Sequence, residues 1–333
     1  MHDKIPIEVS EFSRIELPAL GLLLAQSDFL PWRFLSHEPR ERAERQLLES
    51  LTAKLTAEGS GVLAAHAGGK LTGVIAYEPL PWESKTLGRK AAALSVLLAA
   101  PPAGAALDQL IGAALPILRA DGSELVTAKT YTTDLAAVHA LQKQGFLLMD
   151  TMVDVICRFE DSTSRLLAEA EKPSDFVIRL AQRSDTDALR AVARAAFPRH
   201  FGRFHSDPKI GPETGSRLYE EWIQACVEGW CDWIFVAEKD GRIAGFSAWK
   251  KPTAAESRQG LRLGHYSIGA IHPDFQGRGL FKRLTLAGMR TLREFADCVE
   301  GPTHVHNLPV QRGYLKLGWQ IADSRHSFHK WIR

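Results

Sequence analysis

Two glycines one residue apart mark the segment with the clearest chemistry in the chain. Gln276-Gly277-Arg278-Gly279 lies between an apolar run ending at Ile271 and a helical pattern opening at Leu280. Glycine lets the backbone turn tightly and lets a ligand approach with no Cβ in the way. The amides of such a turn, with the unpaired N–H groups of a helix's first turn, point at one spot, where the positive end of the helix dipole also lies. That arrangement suits a phosphate. The spacing is not that of a P-loop, because no Gly-Lys-Ser/Thr follows, and it is not the dinucleotide fingerprint GxGxxG. Downstream, Asn307 is placed to cap a second helix. Tyr314 follows seven residues later, two turns on and on the same helix face.

These residues need elements to hold them. Ser184 or Asp185 can cap a helix over 187–197, with Leu189, Val192, Ala193 and Ala196 on one face. The pattern predicts a further helix over 217–227, a hairpin from 234–237 and 243–249, and a strand over 265–271. A helix over 280–295, a strand over 303–306, a helix over 308–317 and a closing strand over 327–332 complete the order. This is the order of a mixed α/β sandwich.

The chain also contains itself twice. Ala65-His66-Ala67-Gly68-Gly69-Lys70-Leu71-Thr72-Gly73 precedes Ala237-Glu238-Lys239-Asp240-Gly241-Arg242-Ile243-Ala244-Gly245 by 172 residues, and both read as a β-hairpin. At the same offset Pro101 falls on Pro273. At 173, Asp134 falls on Asn307, Leu141 on Tyr314, Gly145 on Gly318 and Phe146 on Trp319. Where the second half has its glycine turn, the first has Gly104-Ala105-Ala106-Leu107, and Leu141 stands for the tyrosine. The first half is thus expected to be a degenerate copy. A polar, proline-containing stretch separates the two, giving expected domains at 1–160 and 177–333 joined by a linker at 161–176.

Composition narrows the function classes. With 333 residues, 45% hydrophobic and 24% charged, the chain reads as a soluble globular protein of two domains. A net charge of +2 with no basic run gives no footprint for nucleic acid. The longest apolar run, 91–100, is too short to span a bilayer, ends at Pro101-Pro102 and reads as a buried strand. No signal-peptide pattern opens the sequence. Cys157, Cys226, Cys231 and Cys298 show no metal-ligand spacing, so free thiols, no metal and a cytoplasmic location are the expectations.

The run IHPDFQGRGLF resembles the signature V-x-P-x-x-Q/R-G-x-G-x-G/A of the GNAT superfamily of N-acetyltransferases, with Phe281 in place of the last small residue. Asn307 and Tyr314 resemble that family's N-x-x-A-x-x-x-Y segment. The resemblance implies two tandem GNAT-like domains, each a mixed, mostly antiparallel sheet flanked by helices. It implies acetyl-CoA as the acetyl donor and coenzyme A as product. Gln276, Gly277, Arg278, Gly279, Leu280 and Phe281 would hold the pyrophosphate, and Phe281 would narrow its pocket. Asn307 would meet the pantetheine or phosphate arm. A backbone amide of Gly269, Ala270 or Ile271 would meet the acetyl oxygen. Tyr314 would protonate the departing thiolate. Candidate bases for the attacking amine are His265, Tyr266, His304 and His306, the histidines because they titrate near neutrality.

Within the superfamily the chain is most similar to the TDP-fucosamine acetyltransferase group. The similarity is carried by the stretch from Leu80 to Gly88, by that from Ala140 to Phe146 with Val153-Asp154, and by FPRHFGRFHSDPKIGPETGSRLYEEW. It implies a small amine acceptor, an amino sugar on a nucleotide carrier. Arg203 would pair with a diphosphate, and Phe204 or Tyr219 would stack on a base or sugar. Leu218, Tyr219, Trp222 and Ile223 also make an apolar helix face, so packing is the alternative role for them. Two further readings stay open: acetylation of another small or protein amine, and a non-catalytic acyl-CoA-binding sensor. A monomer or a homodimer fits the sequence.

Overall fold

The computed structural model describes residues 6–35, 38–159, 174–198, 200 and 202–333, so nearly all of the expected linker at 161–176 lies outside the described residues. The chain forms two compact units, Met1–Thr151 with Ser324–Arg333, and Met152–Asp323.

The first unit is built on β1 (Ile7–Glu11), β2 (Gly61–Ala67), β3 (Lys70–Pro79), β4 (Ala91–Ala99), β5 (Leu125–Tyr131) and the end of the chain's closing strand, β13 (Gln320–Trp331). Its neighbours run antiparallel except β4 and β5, which are parallel and pair only from Ala91 to Leu94. Arg325 to Trp331 pair with β5. Helices α1 (Leu17–Ala25) and α2 (Arg40–Lys54) bury Leu20, Leu24, Leu47 and Leu51 on one face of the sheet. Between β3 and β4 lies α3 (Pro81–Leu87). On the other face α4 (Gly104–Ala120) and α5 (Leu135–Lys143) bury Leu107, Leu110, Ile111 and Leu141. The run at 91–100 forms a strand as its composition implied, over Ala91–Ala99, with Ala91, Ala92, Leu94 and Leu98 buried and Ser95 exposed.

The second unit takes residues 152–158 of β6 (Leu147–Arg158), then β7 (Val177–Leu180), β8 (Trp233–Lys239), β9 (Arg242–Lys250), β10 (Leu263–Ile271), β11 (Cys298–Glu300) and β12 (Thr303–His304). β7 to β10 form an antiparallel run, β10 is parallel to β11, and β6 pairs antiparallel with β11 and β12. The helices are α6 (Thr186–Ala196), α7 (Arg203–Ser206), α8 (Pro212–Ala225), α9 (Ala254–Arg258), α10 (Leu280–Leu292) and α11 (Leu308–Lys316). α6 and α8 pack Leu189, Val192 and Ile223 against one face, while α10 and α11 pack Leu284, Met289 and Tyr314 against the other. α10 rides close to β9, since a Cβ on Gly288 would lie 2.0 Å from Cε2 of Trp249. The Trp249 indole N–H donates to Ser247, whose hydroxyl donates to the Leu284 carbonyl.

The expected fold class is the observed one, a mixed sheet flanked by helices. The boundaries differ. The two closing strands are taken crosswise, because 152–158 pair in the second unit and 325–331 in the first. An apolar alternation identifies a strand and its buried face but not its partner. β11 was not predicted, since three residues are too few for a period to register. The helix expected from 217 starts earlier, at Pro212, whose fixed φ and missing N–H suit a first helical position.

Candidate active site

The glycine turn is exposed and open. After β10 a single turn over Pro273–Phe275 leads to Gln276. Gly277 (φ 74°) and Gly279 (φ 73°) then take left-handed backbone, which side chains other than glycine enter at a cost. A Cβ on either would meet nothing within 4 Å, so the approach to these amides is clear. The first helical bond of α10 runs from the Arg283 amide to the Gly279 carbonyl. The amides of Leu280 and Phe281 therefore head the helix ahead of its first helical bond. No acidic side chain stands in that first turn. The Arg278 guanidinium lies 5.6 Å from the ring of Phe275. Phe281 packs edge-on to Tyr314 at 5.3 Å and lies over Gly313, where a Cβ would sit 2.5 Å from its ring. Its ring is accommodated by Gly313 in the core side of the helix.

β10 and β11 part in the middle of β10. They pair from Leu263 to His265 against Cys298 to Glu300, and beyond that β10 keeps only β9 as a paired neighbour. Ser267 is an extra residue between the pairs Tyr266–Trp249 and Ile268–Ala248, a β-bulge at the point of parting. The His272 amide donates to Ala244 on the β9 side. Alternation then directs the Ala270 amide to β9 as well, and the amides of Gly269 and Ile271 to the open edge. Of the three expected donors to an acetyl oxygen, Gly269 and Ile271 face the opening and Ala270 does not.

Tyr314 sits beside this opening. It is 1% exposed, in contact with Trp319 (4.5 Å), Phe281 (5.3 Å) and Tyr266 (5.9 Å). Its hydroxyl lies over Gly301, just past the end of β11, where a Cβ would come within 2.8 Å of it. Burial pushes its phenol well above the ordinary value, with Tyr266 adding to the effect, so it is protonated at neutral pH. Asn307 precedes the first residue of α11 as expected, but its side chain makes no cap bond; its amide donates to Thr303 at 3.2 Å.

The candidate bases separate cleanly. His265 stands between two carboxylates, with Nδ1 2.8 Å from Glu300 and Nε2 2.9 Å from Glu256. Burial opposes its charge, yet the two carboxylates outweigh it and raise the imidazole to about 9. With both nitrogens engaged and a proton held on each, His265 has the character of a charged clamp and offers no lone pair to an amine. Tyr266 is buried, and desolvation raises its phenol. His306 is exposed. His304 is buried and faces His200 at 4.7 Å, and the His304 Nε2 and the Tyr219 hydroxyl both converge on Gly202.

His200 and His205 are additions that sequence reasoning did not single out. The His200 ring lies 4.7 Å from His304, 5.0 Å from Tyr219 and 6.2 Å from His205, and His205 lies 5.6 Å from Tyr219. Burial and the neighbouring imidazoles push His200 down to about 3 and His205 in the same direction, so both are neutral near pH 7. The signal was present, since both flank Arg203, but nothing local shows that β12 brings His304 to them. Among the described residues no group of three or more His, Cys, Asp or Glu side chains is arranged to hold a metal ion. Tyr219 is buried and stacked on Phe197 at 4.3 Å. Phe204 is buried, and Arg203 is half-buried over its ring at 4.3 Å. Arg203 opens a short helix. No described helix is long and apolar enough to cross a membrane.

Comparison with known proteins bears on the same residues. Residues 194–319 match the acetyltransferase (GNAT) family profile, a span that contains the glycine turn, Asn307 and Tyr314. The spore coat polysaccharide biosynthesis protein SpsD of Bacillus subtilis is 25% identical over 305 residues, 87% of this chain and 95% of its own. The dTDP-fucosamine acetyltransferase of Escherichia coli is 29% identical over 189 residues, 56% of this chain and 73% of its own. A solved tandem GNAT protein from the clavulanic acid biosynthesis pathway superposes with a TM-score of 0.56 at 13% identity, covering 98% of this chain and 99% of that one.

Proposed function

We propose, for a chain whose residues 194–319 match the acetyltransferase (GNAT) family profile, that it moves the acetyl group of acetyl-CoA onto the primary amine of an amino sugar held on a nucleotide. The observation that carries this reading is the meeting of a buried, protonated Tyr314 hydroxyl with the opening between β10 and β11. Acetyl-CoA supplies an activated thioester, and its pyrophosphate fits the exposed amides of Gly277 to Phe281, with Gln276, Arg278 and Asn307 at the edges. The amides of Gly269 and Ile271 receive the acetyl oxygen as charge develops on it. The neutral amine forms the C–N bond as the C–S bond breaks. His304 takes the proton the amine gives up, with His200 beside it, and Tyr314 returns a proton to sulfur. His265 holds its charge and positions the strands.

The acceptor class is supported by the two relatives named for polysaccharide biosynthesis and for dTDP-fucosamine, and by the placement of Arg203, Phe204 and Tyr219 in the unit that carries Tyr314. A thiol-release assay with acetyl-CoA and a panel of amines tests it. Turnover is expected to be highest with a nucleotide-linked amino sugar. Arg203→Ala is expected to raise the KM for that acceptor by about tenfold, as the loss of one charge-assisted contact does, and to leave a free amino sugar unaffected. Preference for a polyamine, an aminoglycoside or a protein amine would overturn the acceptor class. Tight acetyl-CoA binding with no turnover on any amine would favour a sensor.

A further inference from the structure

We propose that Cys226 and Cys231 form a dithiol site that exchanges with small-molecule disulfides and, on closing, slows the unit that carries Tyr314. The two sulfurs lie 3.2 Å apart in the core. Cys226 directly follows α8, the turn Cys226–Trp230 reverses the chain through Gly229 (φ 117°), and the Cys231 amide already bonds the Cys226 carbonyl. Ring closure therefore needs little further ordering of the chain. All four cysteines are buried and outside any disulfide. The other two cannot mimic the pair. Cys157 sits opposite Val299 and Cys298 opposite Arg158, so their side chains leave opposite faces of the sheet.

The surroundings connect the pair to the site. The Ser267 hydroxyl favours a thiolate at either sulfur and accepts the indole N–H of Trp222 at 3.2 Å. Ser267 is the bulged residue of β10, two positions before Gly269. Lys250, whose ammonium stands 3.6 Å from the ring of Trp230, favours a thiolate here, while Asp232 opposes it. The neighbouring thiol's hydrogen bond favours the thiolate at Cys231 and keeps Cys226 protonated. Cys231 is also the more open of the two, at 8% against 1% exposure.

The chemistry is thiol–disulfide exchange. The Cys231 thiolate attacks one sulfur of a small disulfide, breaking its S–S bond and expelling one thiolate, which takes a proton from Cys226. The Cys226 thiolate then attacks the Cys231 sulfur of the mixed disulfide and expels the second thiolate, which is protonated from solvent. Two protein thiols are oxidised to one disulfide, and one small disulfide is reduced to two thiols. Drawing the sulfurs to a covalent distance of about 2.05 Å turns them from Ser267 and shifts the bulge that sets the strand beyond it.

The test is to incubate the full chain with graded glutathione disulfide, alkylate the remaining thiols under denaturing conditions, and map peptides by mass. The proposal predicts one linkage, between positions 226 and 231, reversed by dithiothreitol, with Cys157 and Cys298 still alkylated. The effect on rate rests on the acetyl-transfer reading, and acetyl transfer in the same samples should fall by about tenfold or more, the scale on which small displacements act. Cys231→Ser and Cys226→Ala should keep the basal rate and lose the sensitivity. Separate alkylation of 226 and 231 at every ratio would overturn the site. A formed linkage with an unchanged rate would overturn its coupling to β10. If neither redox state transferred acetyl at all, the acetyl-transfer reading would fall while the mass map still judged the dithiol.

Discussion

Leu141 and Tyr314 hold the same place in the two halves of the chain, 173 residues apart, and each is almost completely buried, at 0% and 1%. Leu141 belongs to a mainly aliphatic cluster with Leu107, Leu110 and Ile111 of α4, joined by Phe146 and Phe328. Around Tyr314 they are Trp319, Phe281 and Tyr266, and the hydroxyl looks out over Gly301. The fold asks this position only for apolar volume; the proposed chemistry asks it for one oxygen. The helix starts repeat the lesson. Ahead of α4, Ala103 is in ordinary right-handed backbone (φ −67°), whereas α10 is entered through Gly279 at φ 73°. The parting strands are kept in both halves, since β4 leaves β5 after Leu94 as β10 leaves β11 after His265. Even the bulge recurs, at Ser95 and at Ser267, 172 residues apart. The opening and the bulge belong to the architecture, and the glycine turn and the tyrosine are what one half adds to it.

If that division is right, the same position should answer to different measurements in the two halves. Leu141→Ala should lower unfolding stability by about 2–5 kcal/mol, the range for a large-to-small change in a packed core, as read by urea denaturation of the purified chain. A loss of acetyl transfer with no loss of stability would break the comparison. The second unit also carries a charge the first lacks. His265 and Glu300 correspond to Ala93 and Thr127 at offsets of 172 and 173. Because His265 is raised from 6.5 to about 9 by its carboxylates, its stabilisation is complete below pH 6.5, shrinks above that and is gone past pH 9. Melting followed between pH 6.5 and 9.5 should show the second unit losing stability, and His265→Gln should flatten that loss. A fall of equal size in the variant would remove the clamp from the explanation.

The helix caps give the smallest test. Asp134 accepts the Ala137 amide at 3.0 Å, while Asn307 makes no such bond. Asp134→Ala should cost about 0.5–2 kcal/mol. Asn307→Ala should leave unfolding nearly unchanged and raise the KM for acetyl-CoA. Equal stability losses in the two variants would show that Asn307 is a structural cap after all.

Local signals made the scaffold legible. Asp240-Gly241 and Gly68-Gly69 announced hairpins, and both turns have positive φ throughout. The glycine turn and the seven-residue spacing of Asn307 and Tyr314 were equally local. What stayed hidden depended on distant partners. The carboxylates that clamp His265 come from α9 and β11, and the histidine that meets His304 comes from the loop before α7. The crosswise closing strands and the turn of Phe281 over Gly313 are of the same kind, since each is decided by packing between segments far apart in the chain.

Tyr314→Phe tests the central claim most directly, by thiol release at saturating acetyl-CoA and acceptor. If Tyr314 is the proton donor proposed for it, the change should lower kcat by about 100-fold or more, with acetyl-CoA affinity and unfolding stability close to those of the unaltered chain. A variant that kept the full rate would contradict the role given to the one oxygen that distinguishes the two halves.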